Sequence, residues 1–378
     1  MSIRGFLKFL KYDHLKKVGE KSVLNIVSGN EAADFDSVAS AIAYAYFSFT
    51  RDSTQVVIPI INIPRADLSL RRDVVYALDK LGIDEDLLFF EEDLKLFRTQ
   101  FEKINSVLVD HNVVSNGIET CIDEVIGIID HHKDSGLYLD VKPRIVQITG
   151  SCSSLVLKYW NDKINNLNVM KEVMPLMLGA VLIDTSNFQY KVETLDLEAL
   201  ELYKSINPTL ENDHYFEELK TAKDNIKNLS IRDVLRKDYK QFSFKKSAKQ
   251  LTVGIASIVK SLDWLYKEYN GQPNFQADCE KFAIDMKLDI FFIMTAYSED
   301  SDFKRELVAI PTRNNLSLSN QIIEKVTGHL GLNIPNGYSI SSIGAQTGET
   351  YKSFTQSNIL ASRKQVAPYL EEAFDSLF

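Results

Sequence analysis

The sequence predicts an α/β protein: an open parallel-sheet domain in the first half, a smaller α/β domain with a mixed sheet in the second, and the active site in the cleft between them. Three observations predict it. Short β-branched apolar runs alternate with helix-period segments through the first 206 residues, as strand–helix–strand units do. Four of these apolar elements end in acids, namely Asp34 with Asp36, Asp110, Asp130 and Asp184. In open α/β sheets, ligands gather beyond the carboxyl ends of the strands. Finally, residues 207–228 are polar, carry Pro208 and have a helical charge pattern, which reads as a helical linker. The expected domains are therefore 1–206 and 229–378.

The first strand spans 22–28 and breaks at Gly29-Asn30-Glu31-Ala32-Ala33-Asp34-Phe35-Asp36-Ser37, before a helix over about 38–49. Helix capping by Asp36 or Ser37 explains one acid of this loop. It does not explain two acids two residues apart directly after a strand, a spacing that lets carboxylates converge on hard cations. A strand over 55–61 follows, and Arg71 and Arg72 open a helix to about 81 as an expected solvated face. After a short strand ending near Phe90 and a helix to about 103, the strand 106–109 ends at Asp110-His111-Asn112.

Residues 125–129 form an apolar run that stops at Asp130-His131-His132. The chain has six histidines, so an adjacent pair behind an acid at a strand end is hard to read as a chance turn. A strand over 143–148 breaks at Gly150-Ser151-Cys152-Ser153-Ser154 into a helix. That turn fits either backbone anion binding or plain serine capping. The apolar helix 172–183, with Pro175 expected in its first turn, runs into Asp184, and a helix over 196–206 closes the half. In the second half, 230–240 looks helical, and 251–258, 288–297 and 306–310 read as strands. Helices are expected over 261–269, 321–329 and 369–378.

Composition narrows the function classes. A net charge of −9 argues against general nucleic-acid coating, which needs a basic face. It leaves room for an anionic substrate in a local basic pocket. Three separated cysteines and no CxxC argue against a disulfide framework and fit a reducing compartment. No apolar run approaches the roughly 18 residues of a membrane span. Ile3, Phe6, Leu7 and Leu10 fall at helical spacing among Arg4, Lys8, Lys11, Lys16 and Lys17. This is an amphipathic docking helix; the competing reading is a mitochondrial presequence, against which stand few arginines and Asp13. A cytoplasmic monomer, with at most a minor mitochondrial pool, is expected.

Clustered carboxylates repel one another unless cations neutralise them. Carboxylate with imidazole suits Mg²⁺, Mn²⁺ or Co²⁺, and no cysteine set offers tetrahedral zinc. Two such ions about 3.5–4 Å apart can activate water and clamp an in-line phosphoryl displacement. The second half offers cations for phosphate: adjacent Arg363 and Lys364, and Lys240 in a basic run.

At these residues the chain resembles the DHH phosphoesterase superfamily, whose motifs are strand-terminal acids and an Asp-His-His. The matching segments are 30–37, Asp110-His111, Asp130-His131-His132 and Asp184. The tail Ser362-Arg363-Lys364-Gln365 is similar to the closing signature of the branch holding family II inorganic pyrophosphatases, prune-type proteins and fungal exopolyphosphatases. Asn62-Ile63-Pro64-Arg65 and Arg236-Lys237-Asp238-Tyr239-Lys240 look like yeast-type cytosolic exopolyphosphatases. The resemblance implies that Asp34, Asp36, Asp110, His131 and Asp184 hold two divalent ions, Mg²⁺ or Mn²⁺. It implies catalysis by His132 together with Asp110 and His131. His132 would contact the scissile phosphate or protonate the leaving oxygen. Lys240, Arg363 and Lys364 would hold the substrate, inorganic polyphosphate, while Asn30, His111 and Asp130 would support the ligands. Pyrophosphatases carry His where this chain has Asn30, and losing that imidazole hardens the site toward Mg²⁺. Prune-type proteins usually replace the second His of the third motif, and His132 is present. The alternatives are the same machinery on pyrophosphate or a short nucleotide, and a scaffold that has lost catalysis.

Overall fold

The first half of the chain folds around one parallel sheet. Its strands are β1 (Val23–Ser28), β2 (Ile58–Ile61), β3 (Phe89–Phe90), β4 (Lys103–Val109), β5 (Glu124–Asp130) and β6 (Arg144–Val146). They lie in the order β3-β2-β1-β4-β5-β6, all pairs parallel. The order reverses between β1 and β4, where an open α/β sheet leaves its crevice. The segments leaving those two strands carry Asp34 with Asp36, the second in the first turn of the following helix, and Asp110. The computed structural model describes residues 1–18, 22–114, 117–164, 166–300, 302–312, 316–333 and 351–378. It divides into two compact units, Met1–Asn225 and Ile226–Phe378.

The helices of the first unit are α1 (Ile3–Phe9), α2 (Leu15–Lys17), α3 (Phe35–Arg51), α4 (Arg72–Lys80), α5 (Glu91–Gln100), α6 (Cys152–Ile164), α7 (Leu167–Asp184), α8 (Thr194–Ile206) and α9 (Asn212–Asp224). The amphipathic start of the chain docks as its spacing suggests. Ile3, Phe6, Leu7 and Leu10 are buried, and Phe6 packs against Tyr46 and Phe49. Phe6→Ala is expected to cost about 3–5 kcal/mol, as a filled core site does. Denaturant unfolding would read it, and a loss near zero would mean the segment merely lies on the surface.

α7 begins a full turn or more before its expected start. Asn166 caps it by accepting from Asn168 N, so Pro175 lies in the helix interior and not in its first turn. The stretch 207–228, read as a linker, contains α9, whose Leu219 is fully buried in the core of the first unit. Tyr215 on α9 donates to the carbonyl of Pro175.

The second unit is built on a mixed sheet, β13-β14-β12-β9-β8-β7. Its strands are β7 (Tyr239–Lys246), β8 (Lys249–Ile258), β9 (Ile290–Thr295), β12 (Glu306–Pro311), β13 (Leu332–Asn333) and β14 (Lys352–Gln356). Among the described residues, only β8 and β9 pair in parallel. A separate hairpin joins β10 (Tyr297–Glu299) to β11 (Asp302–Lys304). Its helices are α10 (Ile231–Lys237), α11 (Leu262–Glu268), α12 (Gln272–Asp285), α13 (Leu316–Leu330) and α14 (Arg363–Asp375).

Two expectations for this unit are corrected. The helix expected over 230–240 stops at Lys237, and Lys240 lies on β7 opposite Ile255, because the β7–β8 hairpin pairs those residues. The last helix starts at Arg363, not at 369. Gln365 Oε1 accepts from Ser362 N (3.0 Å) and Oγ (2.7 Å), which fixes the helix start before Pro368.

Candidate metal centre

The loop after β1 is shaped by one close approach. A Cβ on Gly29 would stand 2.7 Å from Ser37 Cβ and 2.9 Å from its carbonyl oxygen, so only glycine lets α3 start here. Asp34, not Asp36 or Ser37, is the N-cap, accepting from Ser37 N at 3.1 Å. Arg71 is no solvated residue: its Nε (2.8 Å) and Nη2 (2.6 Å) both donate to the carbonyl of Ala32, tying the loop to α4.

Asp110 directly follows β4 with φ +62°, a left-handed conformation that Asp tolerates better than most residues. Its Oδ2 accepts from Ser37 Oγ (2.6 Å) and Asn30 Nδ2 (2.8 Å). Its Oδ1 is buried and has no hydrogen-bond partner. That oxygen lies 3.1 Å from His131 Nε2 and 3.7 Å from His132 Nδ1. His131 Nδ1 is 3.0 Å from the carbonyl of Thr149, which assigns a proton to Nδ1 and turns Nε2 toward Asp110. Among the described residues, Asp110, His131 and His132 are the group whose ligand atoms lie within 4.8 Å of one another.

A second acid stands beside the same imidazole. Asp36 Oδ2 lies 3.9 Å from His131 Nε2. Burial and the charge of Asp36 raise the Asp110 carboxyl to about 7, despite its contact with His131. Asp184, at the end of α7, is raised well above the usual range by burial and then by Asp36 and Asp34. Its Oδ2 is buried without a partner. Asp34 keeps an exposed face, yet enough protein surrounds it that burial, then Asp36, raises it too. Burial works against a charge on His131, but the carboxylates of Asp110 and Asp36 outweigh it and lift His131 to about 10. The carboxylates of Asp36 and Asp110 thus flank the His131 imidazole, Asp34 and Asp184 lie near enough for charge to be felt between them, and one buried oxygen each of Asp110 and Asp184 lacks a partner. Hard carboxylate oxygens with one imidazole nitrogen fit a divalent cation.

Asp130 is fully buried and serves the histidines. Its Oδ1 accepts from His131 N (2.8 Å) and His132 N (3.2 Å) and meets His132 Nδ1 at 2.9 Å. Asn112 donates to its other oxygen. Burial would raise Asp130, but hydrogen bonds from His132 and Asn112 hold it below the usual carboxylate range. The same contact raises His132, which is 56% exposed at its side chain. His111 turns inward, its Nδ1 2.9 Å from the Val109 carbonyl, and burial lowers its affinity for a proton.

The turn at Gly150 is the instructive correction. Its amides are already used by the protein's own carboxylates: Cys152 N (2.6 Å) and Ser153 N (2.8 Å) donate to Asp36, and Gly150 N (2.7 Å) donates to Asp196. Asp196, fully buried and marked in the sequence only as the start of a helix, also accepts from Thr149 Oγ1 and Ser154 Oγ. This turn therefore holds Asp36 and positions Thr149 behind His131. The contacts of Ser37 with Asp110, Asn112 with Asp130, Ser153 with Asp36 and Asp196 with the Gly150 turn were not legible in the sequence, because single polar residues carry no spacing signal for their partners.

Lys240, Arg363 and Lys364 belong to the second unit. Within it, Arg363 pairs with Asp238, Nη2 to Oδ1 at 2.7 Å and Nη1 to its carbonyl at 2.9 Å, so it lies beside the start of β7. Arg363 and Lys364 occupy the first turn of α14, where cations oppose the helix dipole. Helix stability does not account for them.

Comparison with known proteins places these residues in context. The family model "DHH family, N-terminal domain" matches residues 25–181, and "DHHA2 domain" matches 217–373. A Schizosaccharomyces pombe protein named "Putative exopolyphosphatase" is 32% identical over 92% of this chain and 90% of its own length. Human "Exopolyphosphatase PRUNE1" is 26% identical over 95% of this chain and 77% of its own. A Methanothrix thermoacetophila "Manganese-dependent inorganic pyrophosphatase" is 26% identical over 92% of this chain and 97% of its own. A crystal structure from Methanococcus jannaschii, of a "putative family II inorganic pyrophosphatase", superposes with a TM-score of 0.58 at 20% identity. It covers 93% of this chain and 100% of that one, and it shares the fold.

Proposed function

The chain belongs to the DHH phosphoesterase superfamily, and on that premise we propose that this metal-dependent phosphoanhydride hydrolase is an exopolyphosphatase, removing terminal phosphates from linear inorganic polyphosphate. The observation that carries the reading is the meeting of Asp110 Oδ1 and His131 Nε2 at 3.1 Å, with Asp110 Oδ1 left without a hydrogen bond. Asp34, Asp36, Asp110, His131 and Asp184 would hold two divalent ions, Mg²⁺ or Mn²⁺. Such ions supply Lewis acidity and a nucleophile at neutral pH.

The remaining work falls to the protein. Asn30 and Ser37 hold Asp110 by its Oδ2 so that Oδ1 keeps one direction. His132, fixed through Nδ1 by Asp130, holds a proton at the exposed Nε2 and delivers it to the leaving phosphate oxygen. Lys240, Arg363 and Lys364 neutralise the phosphates that remain.

Polyphosphate is favoured over pyrophosphate by Asn30, which stands where pyrophosphatases carry His, and by the S. pombe relative. The test is phosphate release from polyphosphates of defined length against pyrophosphate, each with Mg²⁺ and with Mn²⁺. Release from polyphosphate should dominate. Faster hydrolysis of pyrophosphate would instead make the chain a pyrophosphatase. In the same assay Lys364→Ala should raise KM by about tenfold with little change in kcat, as uniform substrate binding requires. An unchanged KM would remove Lys364 from the substrate contacts.

A further inference from the structure

We propose that residues 185–191 form a strained socket that clamps the Gly150 turn, and that Thr185, at its hub, is a positioning residue for the divalent metal. The proposal rests on the metal-dependent reading and adds residues outside the ligand set. Asp184 is the last residue of α7. Soon after it, Ser186, Asn187 and Phe188 are left-handed in succession, with φ of +48°, +57° and +59°. Lys191 is left-handed as well, at +53°. Each such residue stores backbone strain that its surroundings must hold in place, and none of the four is glycine. Ending a helix takes one left-handed residue, so three in a row exceed what α7 requires.

Thr185 supplies the hold. It is fully buried, and its Oγ1 donates to the Val181 carbonyl (2.6 Å) and accepts from Phe188 N (3.0 Å). Its own carbonyl accepts from Gln189 N and Tyr190 N, each at 2.9 Å. Asn187 N donates back across Asp184 to the Leu182 carbonyl at 2.8 Å, and Asn187 Nδ2 donates to Asp213 Oδ1 of α9 at 2.6 Å. The curl closes on Gly150. A Cβ there would stand 2.6 Å from Thr185 Cγ2 and 2.7 Å from the Lys191 carbonyl oxygen, so the two ends of the socket grip bare backbone. Thr149, one residue earlier, offers the carbonyl that meets His131 Nδ1. Cys152 and Ser153, just beyond, donate their amides to Asp36. The socket therefore follows Asp184 directly and presses on the turn that orients His131 and Asp36. A shift in it displaces three of the proposed ligands together.

The test is Mn²⁺ binding to the full chain at pH 8, followed by the paramagnetic resonance of free Mn²⁺. Thr185→Val keeps a methyl against Gly150 and removes the hydroxyl. It should weaken binding by about 10–100-fold, the range for groups that orient metal ligands, and Thr185→Ser, which restores the hydroxyl, should recover most of that loss. Ser186→Val tests the backbone by itself, since the Ser186 side chain is exposed and a β-branched residue resists a φ of +48°. It should weaken binding likewise, whereas Ser186→Gly, which takes that φ freely, should bind at least as tightly as wild type. Phe6→Ala, a core loss elsewhere in the same unit, should melt lower yet keep its Mn²⁺ affinity, which separates positioning from lost stability. Wild-type affinity in folded Thr185→Val or in folded Ser186→Val overturns the proposal alone. So does a Phe6→Ala loss of affinity as large as theirs. Absence of Mn²⁺ binding by wild type overturns it together with the metal-dependent reading.

Discussion

Asp110→Asn is expected to abolish phosphate release while leaving the metal-free protein folded and, above neutral pH, more stable than wild type. Asparagine keeps the shape, tolerates the φ of +62° and can still accept from Ser37. What it loses is the charge that Asp110 Oδ1 presents beside His131. The loss in kcat/KM should reach at least about a thousandfold, as for a group central to transition-state charge. The stability gain follows from sign. Folding raises Asp110 from its ordinary 3.8 to about 7, through burial and then Asp36. Its favourable contribution is complete below 3.8 and is lost as pH rises through about 7. A neutral side chain escapes that loss. Circular dichroism melts at pH 8 without metal, paired with a phosphate-release assay, check both halves. Near-wild-type turnover by the folded variant would remove Asp110 from the metal site. Collapse of the fold would make it a structural residue.

The sheet and its acids were legible because strand ends are local events: an apolar run stops and a charged residue follows. That located Asp34, Asp110, Asp130 and Asp184 without tertiary information. The opposite happened at Gly150, where a serine-rich turn looks the same whether its amides await a foreign anion or a carboxylate of the same chain. Only the fold brings Asp36 and Asp196 to them. Arg71 was misread for a related reason, since a basic residue opening a helix has no sequence mark for a carbonyl partner 39 residues away. Lys240 was assigned to a helix because its neighbours have helical spacing, and pairing with β8 overrode that preference. The strand β14 and helix α12 escaped notice, lying among polar residues with weak periodicity.

Metal removal should have an effect that grows with pH. His131, lifted from 6.5 to about 10 by its carboxylate neighbours against the pull of burial, stabilises the metal-free fold fully below 6.5 and loses that contribution toward pH 10. Asp110 acts in the same direction over the lower window, from 3.8 to about 7. The metal-free first unit should therefore melt progressively lower from pH 5 to pH 9. Divalent cation reverses the trend, because ligands must shed protons to bind it and affinity climbs with pH. At 100 times Kd, binding adds about 2.7 kcal/mol, or roughly 5–10 °C for a unit of this size. Melts with EDTA and with Mg²⁺ across this range decide it. A metal-induced shift that shrinks as pH rises would place the cation away from Asp110 and His131.

The most direct measurement is anomalous diffraction at the manganese edge from crystals soaked in Mn²⁺. Two peaks should appear within coordination distance of Asp34, Asp36, Asp110, His131 and Asp184, among hard carboxylate oxygens and one imidazole nitrogen. Peaks elsewhere on the chain, or none beside Asp110 and His131, would mean that these acids crowd together for some other purpose.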